Sequence, residues 1–128
     1  MKKVPLALIV EDSPTQAKQI AANLSSCGFR THIATDGPEA LRAVDDHQPD
    51  LVVLDVNLPT MDGYQVCRRL KRDPNTAHIP VVMLTVADGS EATLQGLEAG
   101  ADDYIPKDVF ATENLIVTLK GLGLLPER

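Results

Sequence analysis

Three short runs in this chain are apolar almost throughout: Leu6–Val10 (LALIV), Leu51–Leu54 (LVVL), which runs into Asp55, and Ile79–Leu84 (IPVVML). A run without alternation is a strand covered on both faces, as in a parallel sheet. Phe29, Thr31 and Ile33 alternate with Arg30 and His32, which predicts a half-exposed edge strand. Tyr104-Ile105 marks a short fifth strand. Between these runs the apolar positions recur at helical spacing. Ala17, Ile20, Ala21, Leu24 and Cys27 form one such face; Ala40, Leu41 and Val44 a second; Val66, Cys67 and Leu70 a third. Ser90–Ala99 is a fourth helix, weakened by Gly96, and Phe110, Leu115, Ile116, Leu119 and Leu122 form the inward face of a fifth. The punctuation agrees. Ser13-Pro14 and Asp36-Gly37-Pro38 open helices, while Gly28, Pro49, Asp73-Pro74-Asn75 and Gly100 close them.

Strand and helix therefore alternate five times. That pattern predicts an α/β fold with a five-stranded parallel sheet, right-handed crossovers and helices on both faces. At 128 residues, 44% of them hydrophobic and 23% charged, the chain suits one domain over 1–128 with one sizeable core, 122–128 forming a short tail. Leu122, Leu124 and Leu125 of that tail are expected to pack on their own domain. A net charge of -6 argues against nucleic acid as a direct partner, and no apolar run is long enough to span a membrane. Two lysines precede the first apolar run, but Glu11-Asp12 ends it too early for a signal peptide. Cys27 and Cys67 have neither metal-site nor CxxC spacing and read as buried free thiols. His32, His47 and His78 read as surface residues with no ligand role. These features point to a cytoplasmic protein.

The chemistry lies where the strands end. The first delivers Glu11 and Asp12, the third Asp55, the fourth Thr85 and the fifth Lys107. A parallel sheet gathers all of them at its carboxyl edge, where open α/β folds bind ligands. Taken singly, each has an ordinary structural use: Asp55 as a cap for the helix starting near Asp62, Glu11 and Asp12 beside a helix N-terminus, Thr85 as a cap, Tyr104 as a core aromatic, Lys107 as an exposed lysine. Taken together, three carboxylates crowd one place, and a divalent cation relieves their repulsion. All-oxygen ligands suit Mg2+.

These residues, with Asp55 inside LDVNLPTMDG and Tyr104-Lys107 inside GADDYIPK, resemble the receiver domain of bacterial two-component response regulators, by size the stand-alone, chemotaxis-regulator-like kind. The resemblance covers essentially the whole chain. It implies a flavodoxin-like (βα)5 fold with strand order 2-1-3-4-5. It implies that Asp55 accepts a phosphoryl group from a sensor histidine kinase or a histidine phosphotransfer protein. Glu11, Asp12, Asp55 and the backbone carbonyl of Asn57 would hold Mg2+, and Lys107 and Thr85 would bind phosphoryl oxygens. Thr85 and Tyr104 would carry the switch to a protein-binding surface of the fourth helix, fifth strand and fifth helix. Such a protein is no enzyme toward other molecules; it catalyses only its own phosphorylation and dephosphorylation. Pro59 and Gly63 match the family's loop.

Two positions depart from the family. Val86 stands where the family has a very small residue, which predicts crowding at Asp55 and slower gain and loss of phosphate than in Val86→Ala. Asp108 replaces a proline that commonly follows a cis bond, which predicts a trans bond and leaves Asp108 to cap the last helix. The competing readings are a pseudo-receiver that signals without phosphate and a flavin or phosphatase enzyme on the same scaffold. The acid set argues against the first, and the lack of a Gly-rich phosphate loop argues against a flavin carrier.

Overall fold

The apolar runs find cover on both sides. The computed structural model describes residues 4–85, 90–108 and 110–125. Its strands are β1 (Leu6–Val10), β2 (Arg30–Ala34), β3 (Leu51–Leu54), β4 (Val81–Thr85) and β5 (Asp103–Pro106). The helices that follow them are α1 (Pro14–Ser26), α2 (Gly37–His47), α3 (Gly63–Arg72), α4 (Ser90–Glu98) and α5 (Ala111–Gly121). Every strand pair is parallel, and the order is β2-β1-β3-β4-β5. This is the flavodoxin-like (βα)5 arrangement, with β2 at an edge as its alternation requires. The order reverses between β1 and β3, so their loops diverge and leave a crevice at the carboxyl edge.

Alternate residues of each strand feed two cores. Leu8, Val10, Val52, Leu54, Val81 and Met83 pack with α2, α3 and Ala99 on one face. Ala7, Ile9, Leu51, Val53, Val82 and Leu84 pack with α1 and α5 on the other. Caps set the helix starts. Ser13 Oγ accepts from the Gln16 N–H, Asp36 Oδ1 from Glu39, and Asp62 with Gln65 forms a full capping box on α3. Gly28 supplies the left-handed turn (φ 100°) that stops α1.

Three expectations need correction. On α5 only Leu115 and Leu119 are buried; Phe110 (58% exposed), Ile116 and Leu122 face outward. Phe110 precedes the first helical turn and is out of phase with Leu115 and Leu119; Leu122 is in phase with them but sits at the C-cap, beyond the last turn. Ile116 lies one position around the helix from that stripe. Cys67 is buried, donating to the Ala99 carbonyl at 3.4 Å, and burial pushes its thiol up to about 11. Cys27 is only half-buried, because it sits at the C-cap of α1. β4 begins at Val81 rather than Ile79, since the Ile79 N–H is used by a turn to Thr76 and Pro80 has none. Leu124 and Leu125 do pack against the α1–α5 core. His32, His47 and His78 are exposed, and the rings of His32 and His47 lie 4.5 Å apart. No helix among the described residues is long and apolar enough to cross a membrane.

Candidate functional site

The sheet ladder carries the acids into place. The Glu11 N–H donates to the Ala34 carbonyl and the Asp55 N–H to the Val10 carbonyl, both at 3.0 Å. Each bond extends a strand pairing by one residue, so Glu11 and Asp55 leave the sheet side by side. Carboxylate oxygens of Glu11, Asp12 and Asp55 lie within 4.8 Å of one another. Glu11 is 2% and Asp55 6% exposed, whereas Asp12 faces solvent. The two buried acids close the floor of the crevice and Asp12 forms its open side.

The loop after Asp55 is folded tightly against it. The Gly63 N–H donates to the Val56 carbonyl at 2.8 Å, and a Cβ on Gly63 would stand 2.2 Å from the Asp55 carbonyl oxygen. Only glycine permits that approach. The Asn57 N–H donates to Asp55 Oδ1 at 3.3 Å, which fixes one side of the carboxylate. Asp55 is therefore no cap: α3 is capped by Asp62. α1 is capped by Ser13, with Glu11 and Asp12 just ahead of its N-terminus.

Lys107 reaches in from the end of β5. Its ammonium donates to Glu11 Oε1, to Gln16 Oε1 at 2.6 Å and to Asp55 Oδ2 at 3.2 Å. Burial raises the Glu11 carboxyl above its ordinary pKa, and the nearby charge of Asp55 adds to this. Hydrogen bonds from Lys107 and the Ser13 N–H oppose the rise. Three carboxylates against one ammonium leave two formal negative charges uncompensated in a partly desolvated crevice. An all-oxygen cluster with that charge fits a hard divalent cation such as Mg2+.

The remaining expected residues lie around this centre. The backbone of Thr85 ends β4 opposite Pro106, at the same edge; its side chain and all of Val86 lie outside the described residues. Tyr104 pairs in register with Met83, is half-buried and packs on the α2–α3 core. The Lys107–Asp108 bond is trans, as all peptide bonds among the described residues are. Asp108 Oδ1 accepts from the Phe110 N–H at 2.8 Å, but the cap expected of Asp108 does not form: the N-cap of α5 is Phe110, without a side-chain bond. Two neighbours escape the sequence reading. One is Gln16 on Lys107, a contact across 91 positions that no local pattern encodes. The other is Tyr64 on α3, whose phenol is pushed up by burial while a side-chain hydrogen bond with Tyr104 opposes the shift.

Residues 7–120 match the family model of the response regulator receiver domain. The chain belongs to that family. Receiver domains accept a phosphoryl group from histidine kinases on an aspartate and bind Mg2+ at an acidic pocket, in two-component signalling. Among relatives, this receiver domain is 43% identical over 102 residues to the response regulator PleD of Caulobacter vibrioides; the match covers 80% of the chain and 22% of PleD. It thus spans about a fifth of the length of that relative. Among solved structures, a Chloroflexus aurantiacus protein assigned as a response regulator superposes with a TM-score of 0.87 at 36% identity, over 94% of this receiver domain and 98% of that chain. The receiver domain of the sensor histidine kinase PA1611 from Pseudomonas aeruginosa, with magnesium coordinated in its active-site cleft, gives 0.82 at 29% identity, over 94% and 99%.

Proposed function

We propose that Asp55 is the phosphoacceptor of this receiver domain, taking the group from a sensor histidine kinase or a histidine phosphotransfer protein. The observation that carries this reading is the position of Asp55. It is a buried carboxylate at a strand end, with two further acids within 4.8 Å and Lys107 on Oδ2. An Asp55 oxygen forms the bond to phosphorus while the phosphorus–nitrogen bond of the donor breaks and its imidazole leaves. Glu11, Asp12, Asp55 and the Asn57 carbonyl would hold Mg2+, the ion found in the PA1611 cleft. When bound, the ion neutralises charge on the transferring oxygens. Lys107 meets the negative charge of the new acyl phosphate, and Thr85 donates its hydroxyl to a second phosphoryl oxygen.

The product then acts as a switch. Thr85 and Tyr104 would pass the presence of the phosphoryl group to α4, β5 and α5, changing the surface offered to a downstream protein. The chemistry is confined to the chain's own phosphorylation and dephosphorylation. The acidic surface and free thiols suit a cytoplasmic setting, with neither nucleic acid nor membrane as direct partner.

Incubation with a small acyl phosphate and Mg2+, followed by intact mass measurement, tests the reading. One added phosphoryl group is expected on the native chain, none on Asp55→Asn and none with chelator. An adduct that persists on Asp55→Asn, or no adduct on the native chain, contradicts it.

A further inference from the structure

Gln16 is the third residue of α1 in a Ser13-x-x-Gln16 spacing, the pattern of a capping box. In a complete box the Gln side chain returns to the N-cap N–H. α3 does this: the Asp62 N–H donates to Gln65 Oε1 at 3.2 Å and the Gln65 N–H to Asp62 Oδ1 at 2.9 Å. In α1 only half of the box forms, from the Gln16 N–H to Ser13 Oγ at 3.4 Å. The Ser13 N–H goes instead to Glu11 Oε2 at 3.1 Å, which leaves the Gln16 side-chain oxygen for Lys107 at 2.6 Å. The bonds close into a ring running Glu11, Ser13, Gln16, Lys107 and back to Glu11.

We propose that Gln16 is a positioning residue for Lys107, holding its ammonium at Asp55 through the side-chain oxygen. The inference rests on the reading of Asp55 as phosphoacceptor. An ammonium has three N–H donors, and here they meet three acceptors: Glu11, Asp55 and Gln16. Two of these change during the reaction. Asp55 becomes an acyl phosphate, and Glu11 belongs to the acid cluster that faces the cation. Gln16 is neutral and lies outside that cluster, so it alone among the three can keep the same bond before and after transfer. A neutral acceptor also orients the ammonium without cancelling the charge that the phosphoryl oxygens require. Lysine is a point charge on a flexible four-carbon stem, so its aim has to be set by its partners. Gln16 and Lys107 both line a cleft of about 410 Å³ between α1 and α5, so water replaces Gln16 at the ammonium once the amide is removed.

The experiment is a double-mutant cycle on the full chain with a small acyl phosphate and Mg2+. Native protein, Gln16→Leu, Lys107→Ala and the double variant are compared by initial rate of adduct formation. Gln16→Leu is expected to slow the reaction about five-fold, as loss of one partly exposed hydrogen bond to a charged group predicts, and to add nothing in the Lys107→Ala background. A second measurement is independent of turnover. The Lys107 ammonium signal in Nζ-detected NMR is expected to be protected from exchange in the native chain and to lose that protection in Gln16→Leu. A native rate and an unchanged Lys107 signal in Gln16→Leu overturn the inference. So does an equal slowing with and without Lys107, which would mark Gln16 as a helix residue only. Adduct formation on the native chain separates this outcome from failure of the Asp55 reading; no native adduct at all removes both.

Discussion

Thr60 shows local strain in the loop that follows Asp55, the proposed phosphoacceptor. It holds φ 73° in the loop between Asp55 and α3, a region that β-branched residues rarely occupy. Its side chain is exposed, so nothing in the packing demands threonine. Thr60→Asn, which tolerates the left-handed conformation, is expected to raise stability by about 1 kcal/mol in denaturant unfolding. An unchanged midpoint would mean the loop relaxes without strain. The thiols give a second residue-scale prediction. Burial lifts the Cys67 thiol from 9.0 to about 11, so the unfolded chain ionises first and stability should fall as pH rises from about 9 towards about 11. That slope should shrink in Cys67→Ala, and Cys27 alone should alkylate in the folded protein; equal labelling of both thiols would contradict the burial. Asp55, Glu11 and Lys107 were legible because each follows an apolar strand run, with Asp12 one position beyond Glu11. Gln16 and Thr60 were not. A side chain diverted from its own cap, and a strained φ in a loop, depend on neighbours brought close only by folding.

At the scale of elements, the loop from Asp55 to α3 is pinned by Gly63. A methyl group there would sit 2.2 Å from the Asp55 carbonyl oxygen, and backbone cannot swing aside as a side chain can. Gly63→Ala is expected to lower stability by about 3 kcal/mol and to slow phosphorylation, because relief requires moving the strand end that carries Asp55. Native stability and rate in this variant would show that the loop is not the clamp described. The strands were legible from sequence because continuous apolar runs leave a parallel sheet as the natural solution. α5 was less so. Phe110, Ile116 and Leu122 are as apolar as Leu115 and Leu119; helix phase turns Ile116 outward, and the bounds of α5 leave Phe110 and Leu122 at its two ends.

For the whole molecule, the sheet is a device for concentrating charge. Strands far apart in sequence deliver Glu11, Asp12, Asp55 and Lys107 to one edge, and the fold tolerates the two excess negative charges there. Mg2+ should therefore stabilise the folded chain by mass action, by about 2.7 kcal/mol at a hundredfold excess over its Kd, with a matching rise in Tm. The rise should be lost in Asp12→Asn; the same Tm with Mg2+ and with chelator would contradict the site. Identifying the phosphorylated residue itself decides whether Asp55 is the acceptor. An acyl phosphate is an activated carboxyl that borohydride reduces to an alcohol, so trapping the phosphorylated protein and mapping its peptides marks the acceptor. Conversion to homoserine is expected at position 55 alone. Homoserine at position 12, or 2-amino-5-hydroxypentanoic acid at position 11, with position 55 intact, would contradict it.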